Sequence, residues 1–213
     1  MPALSIGNVG QLAVDLLISS LKADKVGCLD DPNVLPCFGN DAYSPSPLGK
    51  LALSLEAYES SSSGLTLVQQ RSPVLKGIMV AYAKNIANLA AAKRKSMYYD
   101  SALRTWKYLD TLAQVSVPDE DSPFDELSDD DYYPSLPFAA LFSCFKAKGL
   151  KVTCLFCYCS EGDNMPEAFS MAEAASKAVG LNDFLGGDNG AGKWITPFSW
   201  QSVYGPPADM TLF

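Results

Sequence analysis

The chain has 213 residues, of which 48% are hydrophobic and 19% charged. This length can bury one sizeable core, and it favours a single domain over residues 1–213. The formal net charge is −8, and a strongly acidic protein repels phosphate backbones, so we expect no nucleic-acid partner.

The sequence contains no histidine. This excludes Ser-His and Cys-His nucleophilic catalysis and removes the commonest metal ligand. No apolar run approaches the roughly 20 residues of a membrane-spanning helix, and the first residues lack the basic start and long apolar stretch of a secretory signal. We therefore expect no membrane partner.

Three of the six cysteines, Cys154, Cys157 and Cys159, lie close together. A CxxC spacing can indicate zinc or redox chemistry. A structural zinc site usually takes its ligands from two separated pairs, and here all three cysteines fall in one apolar run. We interpret them as free thiols packed as small hydrophobic side chains, which fits a reducing compartment. We expect no metal and no cofactor.

The first predicted helix begins after Asn8, because Asn8 and Gln11 have the spacing of a capping box and apolar residues then recur at helical spacing as far as Leu21. Turn residues dominate from Gly27 to Gly49, with one short strand expected near residues 26–29.

Two strands are predicted next, over Leu51–Tyr58 and Leu65–Gln70, and the turn between them predicts a hairpin. Ser72 and Pro73 have the pattern of a helix start. The helix that they begin is predicted to end near residues 93–95, where basic side chains suit a helix C-terminus.

A further helix is predicted over about residues 100–115, followed by an acidic loop over about residues 116–134. Blocks of like charge are usually solvated, and the alternative is an acidic contact for a basic partner surface. Its eight acidic residues are Asp119, Glu120, Asp121, Asp125, Glu126, Asp129, Asp130 and Asp131.

The next helix is predicted over residues 135–148, with Gly149 at its C-cap. Leu150–Cys159 is apolar almost throughout, which is typical of a strand covered on both faces. A turn at residues 160–164 then leads into a helix that Gly180 ends.

Helix, buried strand, turn and helix in this order indicate the α/β class. We predict a three-layer α/β/α sandwich with a mostly parallel or mixed central sheet. An irregular, aromatic-rich tail follows over about residues 181–213, and we expect its tryptophans to cover the domain.

Two patterns resemble catalytic motifs. Residues 187–193 match the glycine and lysine spacing of a phosphate-binding loop, but Trp194 stands where a serine or threonine would bind magnesium. We interpret this stretch as a flexible glycine-rich loop. Glu161, Asp163 and Glu167 could act as acid and base beyond a strand end, or they could stabilise the start of the following helix.

The last residues are apolar and follow two prolines that stiffen the chain. An apolar end of this kind suits capture in a groove of a partner protein. The candidate partner-binding residues are Met210, Thr211, Leu212 and Phe213.

Four stretches together resemble the PAC2 family of proteasome assembly chaperones. They are residues 2–17, 37–43, 160–168 and 193–200. The resemblance covers residues 2–92 and about 132–213, and the loops are most similar to plant members.

The resemblance implies an α/β/α fold and a non-enzymatic, cytoplasmic and nuclear protein. It implies pairing with proteasome assembly chaperone 1 and binding to proteasome α-subunits during ring assembly. Tails in the family enter pockets between α-subunits and ideally end in hydrophobic–Tyr–any, whereas residues 211–213 lack that tyrosine. The alternative is a small-molecule enzyme on a phosphorylase-like α/β scaffold, which would need convergent polar groups in a closed cleft.

One departure concerns the sheet. In the family a buried strand follows the helix that ends near Ala92, but here basic residues run almost directly into the next predicted helix. We therefore expect this shortened chain to lack an interior strand, which would expose unpaired backbone groups and apolar surface.

Overall fold

The computed structural model describes residues 1–4, 6–45, 50–95, 136–181 and 194–204. The helices are α1 (Val9–Ser20), α2 (Met79–Lys95), α3 (Leu136–Ala147), α4 (Met165–Ala178) and α5 (Phe198–Tyr204), and one 3-10 turn spans Ile6–Asn8. The strands are β1 (Asp24–Cys28), β2 (Phe38–Asn40), β3 (Leu51–Leu53), β4 (Leu55–Ser60) and β5 (Leu65–Gln70). None of the helices in these ranges is both long and apolar enough to cross a bilayer.

The strands form two small sheets, one with the order β1-β4-β5 and one in which β2 pairs with β3. The predicted hairpin is confirmed, since β4 and β5 pair in register from Leu55 opposite Gln70 to Ser60 opposite Leu65. The combination of helices with a sheet is also confirmed. The strand pairs in the described ranges are all antiparallel, whereas we expected a mostly parallel or mixed sheet. A short hairpin turn can only join antiparallel neighbours.

The prediction of one strand over Leu51–Tyr58 is wrong. The stretch divides at Ser54 into β3 and β4, which belong to different sheets. The Ser54 hydroxyl accepts a hydrogen bond from the Cys37 amide (2.7 Å) and donates one to the Leu35 carbonyl (2.9 Å). These bonds tie the strand junction to the preceding loop.

Helix α2 begins at Met79 and not at Ser72 as predicted. The backbone just after Ser72 is not helical, because Val74 forms an isolated antiparallel bridge with Val34. The Leu35 amide donates to the Pro73 carbonyl, and the Leu75 amide donates to the Asn33 carbonyl. The helix is described as far as Lys95 and so includes residues 93–95, near which it was predicted to end.

The prediction of a buried strand over Leu150–Cys159 is also wrong. Helix α3 lies where it was expected, and Gly149 ends it with a φ of +67°. Residues 151–160 form neither helix nor strand, and Phe156 and Tyr158 are 73% and 103% exposed. An apolar run is buried only where neighbouring strands and helices flank it, and no strand in the described ranges pairs with this one.

Two apolar cores use opposite faces of the three-stranded sheet. The first joins α1, α4 and Trp200 to Tyr58 and Leu67. The second joins α2 and α3 to Leu55, with Val68 at its edge. Successive side chains of a strand point to opposite faces, so Leu67 and Val68 serve different cores.

The tail covers part of the first core, as predicted for its tryptophans. Trp200 is buried, and the rings of Trp194 and Trp200 meet Phe169 edge to face at 6.4 and 6.3 Å. The Ile195 amide donates to the Ser20 hydroxyl at 2.9 Å. The tail is more regular than expected, because α5 forms between Phe198 and Tyr204.

The starts of α1 and α4 are joined through Asn164. Its buried side-chain amide donates to the carbonyls of Gly7 (3.3 Å), Ser160 (2.9 Å) and Gly162 (3.2 Å). The predicted capping box at Asn8 is not formed, since Asn8 has a left-handed φ of 52° and its side chain makes no capping bond. Carbonyls held by Asn164 therefore fix the two helix starts relative to each other.

Several predictions fall on residues outside the described ranges. They are the helix at about 100–115, the acidic loop at about 116–134 and the glycine-rich loop at 187–193.

We predict that Gly7→Ala destabilises the fold. Gly7 has a φ of +76°, and an added Cβ would lie 2.6 Å from Asn164 Nδ2, so the substitution combines backbone strain of about 1–3 kcal/mol with a collision. Gly64→Ala is the matched control, because Gly64 has a φ of +65° and open space around its Cβ position. Urea denaturation should show a clearly larger decrease in the free energy of unfolding for Gly7→Ala than for Gly64→Ala. Equal decreases would contradict the proposed contact.

Candidate functional site

A cluster of polar side chains lies between α1 and one face of the sheet. Asp15 comes from α1, Glu56 from β4 and Gln69 from β5, while Arg71 follows β5 directly and Tyr43 comes from the loop after β2. Glu56 and Gln69 are fully buried. A buried charge is tolerated only when it is paired and hydrogen-bonded, so the contacts of the two carboxylates decide what the cluster can do.

Asp15 accepts hydrogen bonds at both carboxylate oxygens. Its Oδ1 accepts from the Tyr43 hydroxyl (2.5 Å), Gln69 Nε2 (2.7 Å) and Arg71 Nη2 (3.0 Å). Its Oδ2 accepts from Arg71 Nη1 (3.3 Å). Arg71 therefore holds Asp15 through two parallel bonds, the strongest arrangement for this pair of groups.

Glu56 is satisfied in the same way. Its Oε1 accepts from Lys25 Nζ (2.5 Å) and from the Leu53 amide (3.0 Å). Its Oε2 accepts from the Tyr58 hydroxyl (2.9 Å) and Arg71 Nε (3.3 Å). Two carboxylates thus meet two cations, and Arg71 connects both carboxylates.

The electrostatics of the cluster favour fixed protonation states. Burial alone would lower the pKa of Arg71, but the nearby Asp15 charge raises it above its ordinary value. Burial, together with Asp15 for Tyr43 and with Glu56 for Tyr58, raises the pKa of both tyrosines well above the usual range. The tyrosines stay neutral and the arginine stays charged at physiological pH, so the cluster acts as a structural clamp between α1 and the sheet.

Asp15, Glu56 and Arg71 were not predicted as a site from the sequence. A signal was available, because Asp15 and Glu56 are single acidic residues within predicted buried elements. Charged residues are rarely buried unless they are paired. The partner, Arg71, is distant in sequence from Asp15 and could be assigned only from the fold.

Of the three acidic residues considered as acid and base, one now has a defined structural role. Asp163 Oδ1 accepts a hydrogen bond from the Met165 amide at 3.1 Å, at the start of α4. Glu167 lies in the first turn of α4, where negative charge interacts favourably with the helix dipole. Asp163 therefore stabilises the start of α4 from the position before the N-cap, and the N-cap residue Asn164 makes no side-chain capping bond.

The cysteines of the described ranges form no disulfide. Cys144 is buried and part of the second core, but Cys157 is exposed, so the interpretation of Cys157 as a packed hydrophobic side chain is wrong. Within the same ranges, no group of three or more His, Cys, Asp or Glu residues has an arrangement that could hold a metal ion.

Two of the places at which large apolar side chains are exposed carry the most exposed aromatic rings of the described ranges. Phe156 and Tyr158 lie in the unpaired segment after α3, and Phe38 on β2 is 81% exposed. Phe38 pairs with Leu53 and Asn40 with Leu51 across the two-stranded sheet, so Phe38 and the exposed Leu51 share one face. Exposed apolar side chains in groups are typical of protein-binding surfaces. The predicted partner-binding residues Met210, Thr211, Leu212 and Phe213 lie outside the described ranges.

We predict that Arg71→Met is strongly destabilising. The change leaves Asp15 without its cation and Glu56 with Lys25 alone, and breaking a buried ion pair costs about 3–5 kcal/mol. Lys177→Met is the control, since its pair with Glu173 lies at the surface and exposed pairs contribute about 0.2–1 kcal/mol. The measurement is the free energy of unfolding of both variants by chemical denaturation. A similar small decrease for both variants would show that Arg71 does not hold the cluster together.

We predict that stability falls at alkaline pH. An unfolded tyrosine ionises near pH 10, whereas the raised pKa keeps Tyr43 and Tyr58 neutral in the fold, so the unfolded state is favoured as pH rises above that value. Tyr43→Phe removes one such group and should make the fall shallower by up to about 1.4 kcal/mol per pH unit.

The measurement is the free energy of unfolding in urea between pH 9 and pH 11. Tyr158→Phe is the matched control, because Tyr158 is fully exposed, and its slope should equal that of the unchanged chain. An unaltered slope for Tyr43→Phe would mean that Tyr43 ionises as easily in the folded state as in the unfolded state.

Comparison with known proteins identifies relatives along most of the chain. The chain is 34% identical to proteasome assembly chaperone 2 of Nematostella vectensis, over 87% of this chain and 87% of that protein. It is 31% identical to proteasome assembly chaperone 2 of Xenopus laevis, over 98% of this chain and 92% of that protein. It is 27% identical to the Homo sapiens protein of the same name, over 98% of this chain and 92% of that protein.

The relatives carry residues that this chain lacks. The alignment with the Xenopus laevis protein is 242 positions long and this chain has 213 residues, so at least 29 positions are gaps here. A model of the PAC2 family matches residues 1–188. The chain therefore belongs to the PAC2 family.

Proposed function

We propose that the chain is a proteasome assembly chaperone subunit that pairs with proteasome assembly chaperone 1 and binds proteasome α-subunits while the α-ring forms. The observation that supports this most strongly is the similarity, over nearly the whole chain, to proteins named proteasome assembly chaperone 2. We place this function in the cytoplasm and the nucleus.

The proposed mechanism is stoichiometric binding without turnover. Asp15 and Glu56 accept hydrogen bonds from within the fold at both oxygens of each carboxylate, so neither is free to act as a general base. Exposed apolar side chains such as Phe38 and Phe156 supply the kind of surface that a protein partner buries. These features favour a binding protein over an enzyme on a phosphorylase-like scaffold.

We further propose that the two cores are the two halves of a three-layer α/β/α sandwich. In this arrangement α1 and α4 cover one face of the sheet, and α2 and α3 cover the other. The burial of Tyr58 in the first core and of Leu55 in the second supports it. In this scheme the C-terminal residues Met210–Phe213 contact the α-subunits.

The test is co-expression of the tagged chain with proteasome assembly chaperone 1 and the α-subunits, followed by affinity capture and size-exclusion chromatography. We expect stoichiometric recovery of the partner chaperone together with α-subunits. Absence of both from the captured material, with the chain itself folded, would overturn the proposal.

A variant separates the two proposed contacts. Leu212→Ala combined with Phe213→Ala should weaken recovery of α-subunits several-fold while recovery of the partner chaperone is unchanged. A matched control is Thr211→Ala, which removes little apolar surface. Loss of the partner chaperone as well would mean that the tail serves the dimer and not the α-subunits.

A further inference from the structure

The segment after α3 has the properties of a strand that lacks a partner. Residues 151–160 run without a turn or a bend, and the described part of the chain contains no backbone–backbone hydrogen bond that involves residues 151–159. The Tyr158 carbonyl accepts a hydrogen bond from the neighbouring Cys157 Sγ at 3.5 Å. Leu155, Phe156, Cys157 and Tyr158 are all exposed. Unpaired backbone groups along an apolar stretch are a template for pairing with another strand.

One partner fits this segment by charge. The segment is uncharged from Val152 to Ser160, with Lys151 at one end and Glu161 at the other. If two identical segments pair antiparallel with Phe156 opposite Phe156, each Lys151 lies opposite Glu161 of the other copy. Parallel pairing would instead place like charges opposite each other, which is unfavourable across a strand pair.

We propose that the chain self-associates by antiparallel pairing of residues 151–161 with the same residues of a second copy, about a two-fold axis at Phe156. This is a property beyond the proposed chaperone function and does not depend on it. A two-fold interface uses the same patch on both subunits and is self-complementary. Thr153 then lies opposite Cys159, and Leu155 lies opposite Cys157.

Phe156 already has one contact that orients this segment. Its ring meets Phe138 of α3 edge to face at 4.8 Å, although 73% of the residue remains exposed. Three residues further on, Cys159 Sγ donates to the Ile6 carbonyl at 3.3 Å. The segment is therefore anchored to the body by the side chains of Phe156 and Cys159, while its backbone amides stay open to a second copy.

The first experiment reverses the charges at the ends of the segment. Sedimentation equilibrium of the full chain should show a monomer–dimer equilibrium, and Lys151→Glu should raise the dimer Kd by about tenfold because both end pairs become repulsive. The double variant Lys151→Glu with Glu161→Lys exchanges the charges and should restore the original Kd. Lys148→Glu, an exposed lysine outside the segment, is the control and should leave the Kd close to its original value.

The second experiment tests the register. All six cysteines are replaced by alanine, and a single cysteine is introduced at position 156 or 155. Phe156→Cys should form a disulfide-linked dimer on mild oxidation, because opposed residues of an antiparallel pair lie within disulfide reach. Leu155→Cys should form far less, since residue 155 opposes residue 157.

A chain that remains monomeric at 100 μM overturns the proposal, as does a dimer that is insensitive to Lys151→Glu. Equal cross-linking at positions 155 and 156 overturns the proposed register. These outcomes are independent of whether the chain captures proteasome α-subunits, so the two proposals fail separately.

Discussion

Arg71 connects the two buried carboxylates on which the described fold depends. Its guanidinium contacts Asp15 on α1 and Glu56 on β4, so it holds α1 against the three-stranded sheet. Lys25, Tyr43 and Tyr58 complete the hydrogen bonds of the carboxylates. Because every carboxylate oxygen of Asp15 and Glu56 accepts a hydrogen bond from within the fold, the cluster holds α1 against the sheet.

The stretches that carry the resemblance to the PAC2 family meet around α1. The Gly7 carbonyl, just before α1, accepts a hydrogen bond from Asn164, just before α4. Ser20, at the end of α1, accepts a hydrogen bond from the Ile195 amide of the tail. Tyr43, at the end of the loop stretch, reaches Asp15 in the middle of the helix. Separate parts of the sequence thus form one structural unit around this helix.

Local patterns in the sequence predicted most helices and strands but not the contacts between them. Helical periodicity located α1, α3 and α4, and alternation with a turn located the β4–β5 hairpin, because these signals depend on neighbouring residues. The start of α2 was missed because Val74 pairs with Val34, a contact that no local pattern reveals. The strand at Leu150–Cys159 was predicted from apolar composition, which indicates burial only when flanking strands exist. The Asp15–Arg71–Glu56 cluster required the fold, since its members are far apart in the sequence.

The most direct test of the structural role of Arg71 is a double-mutant cycle with Asp15→Asn and Arg71→Met, measured by urea denaturation at neutral pH. Residues joined through a buried network give coupling energies of about 0.5–3 kcal/mol, and the two parallel bonds between these side chains place the expected value in the upper half of that range. Effects of the two changes that simply add, within about 0.5 kcal/mol, would contradict the account.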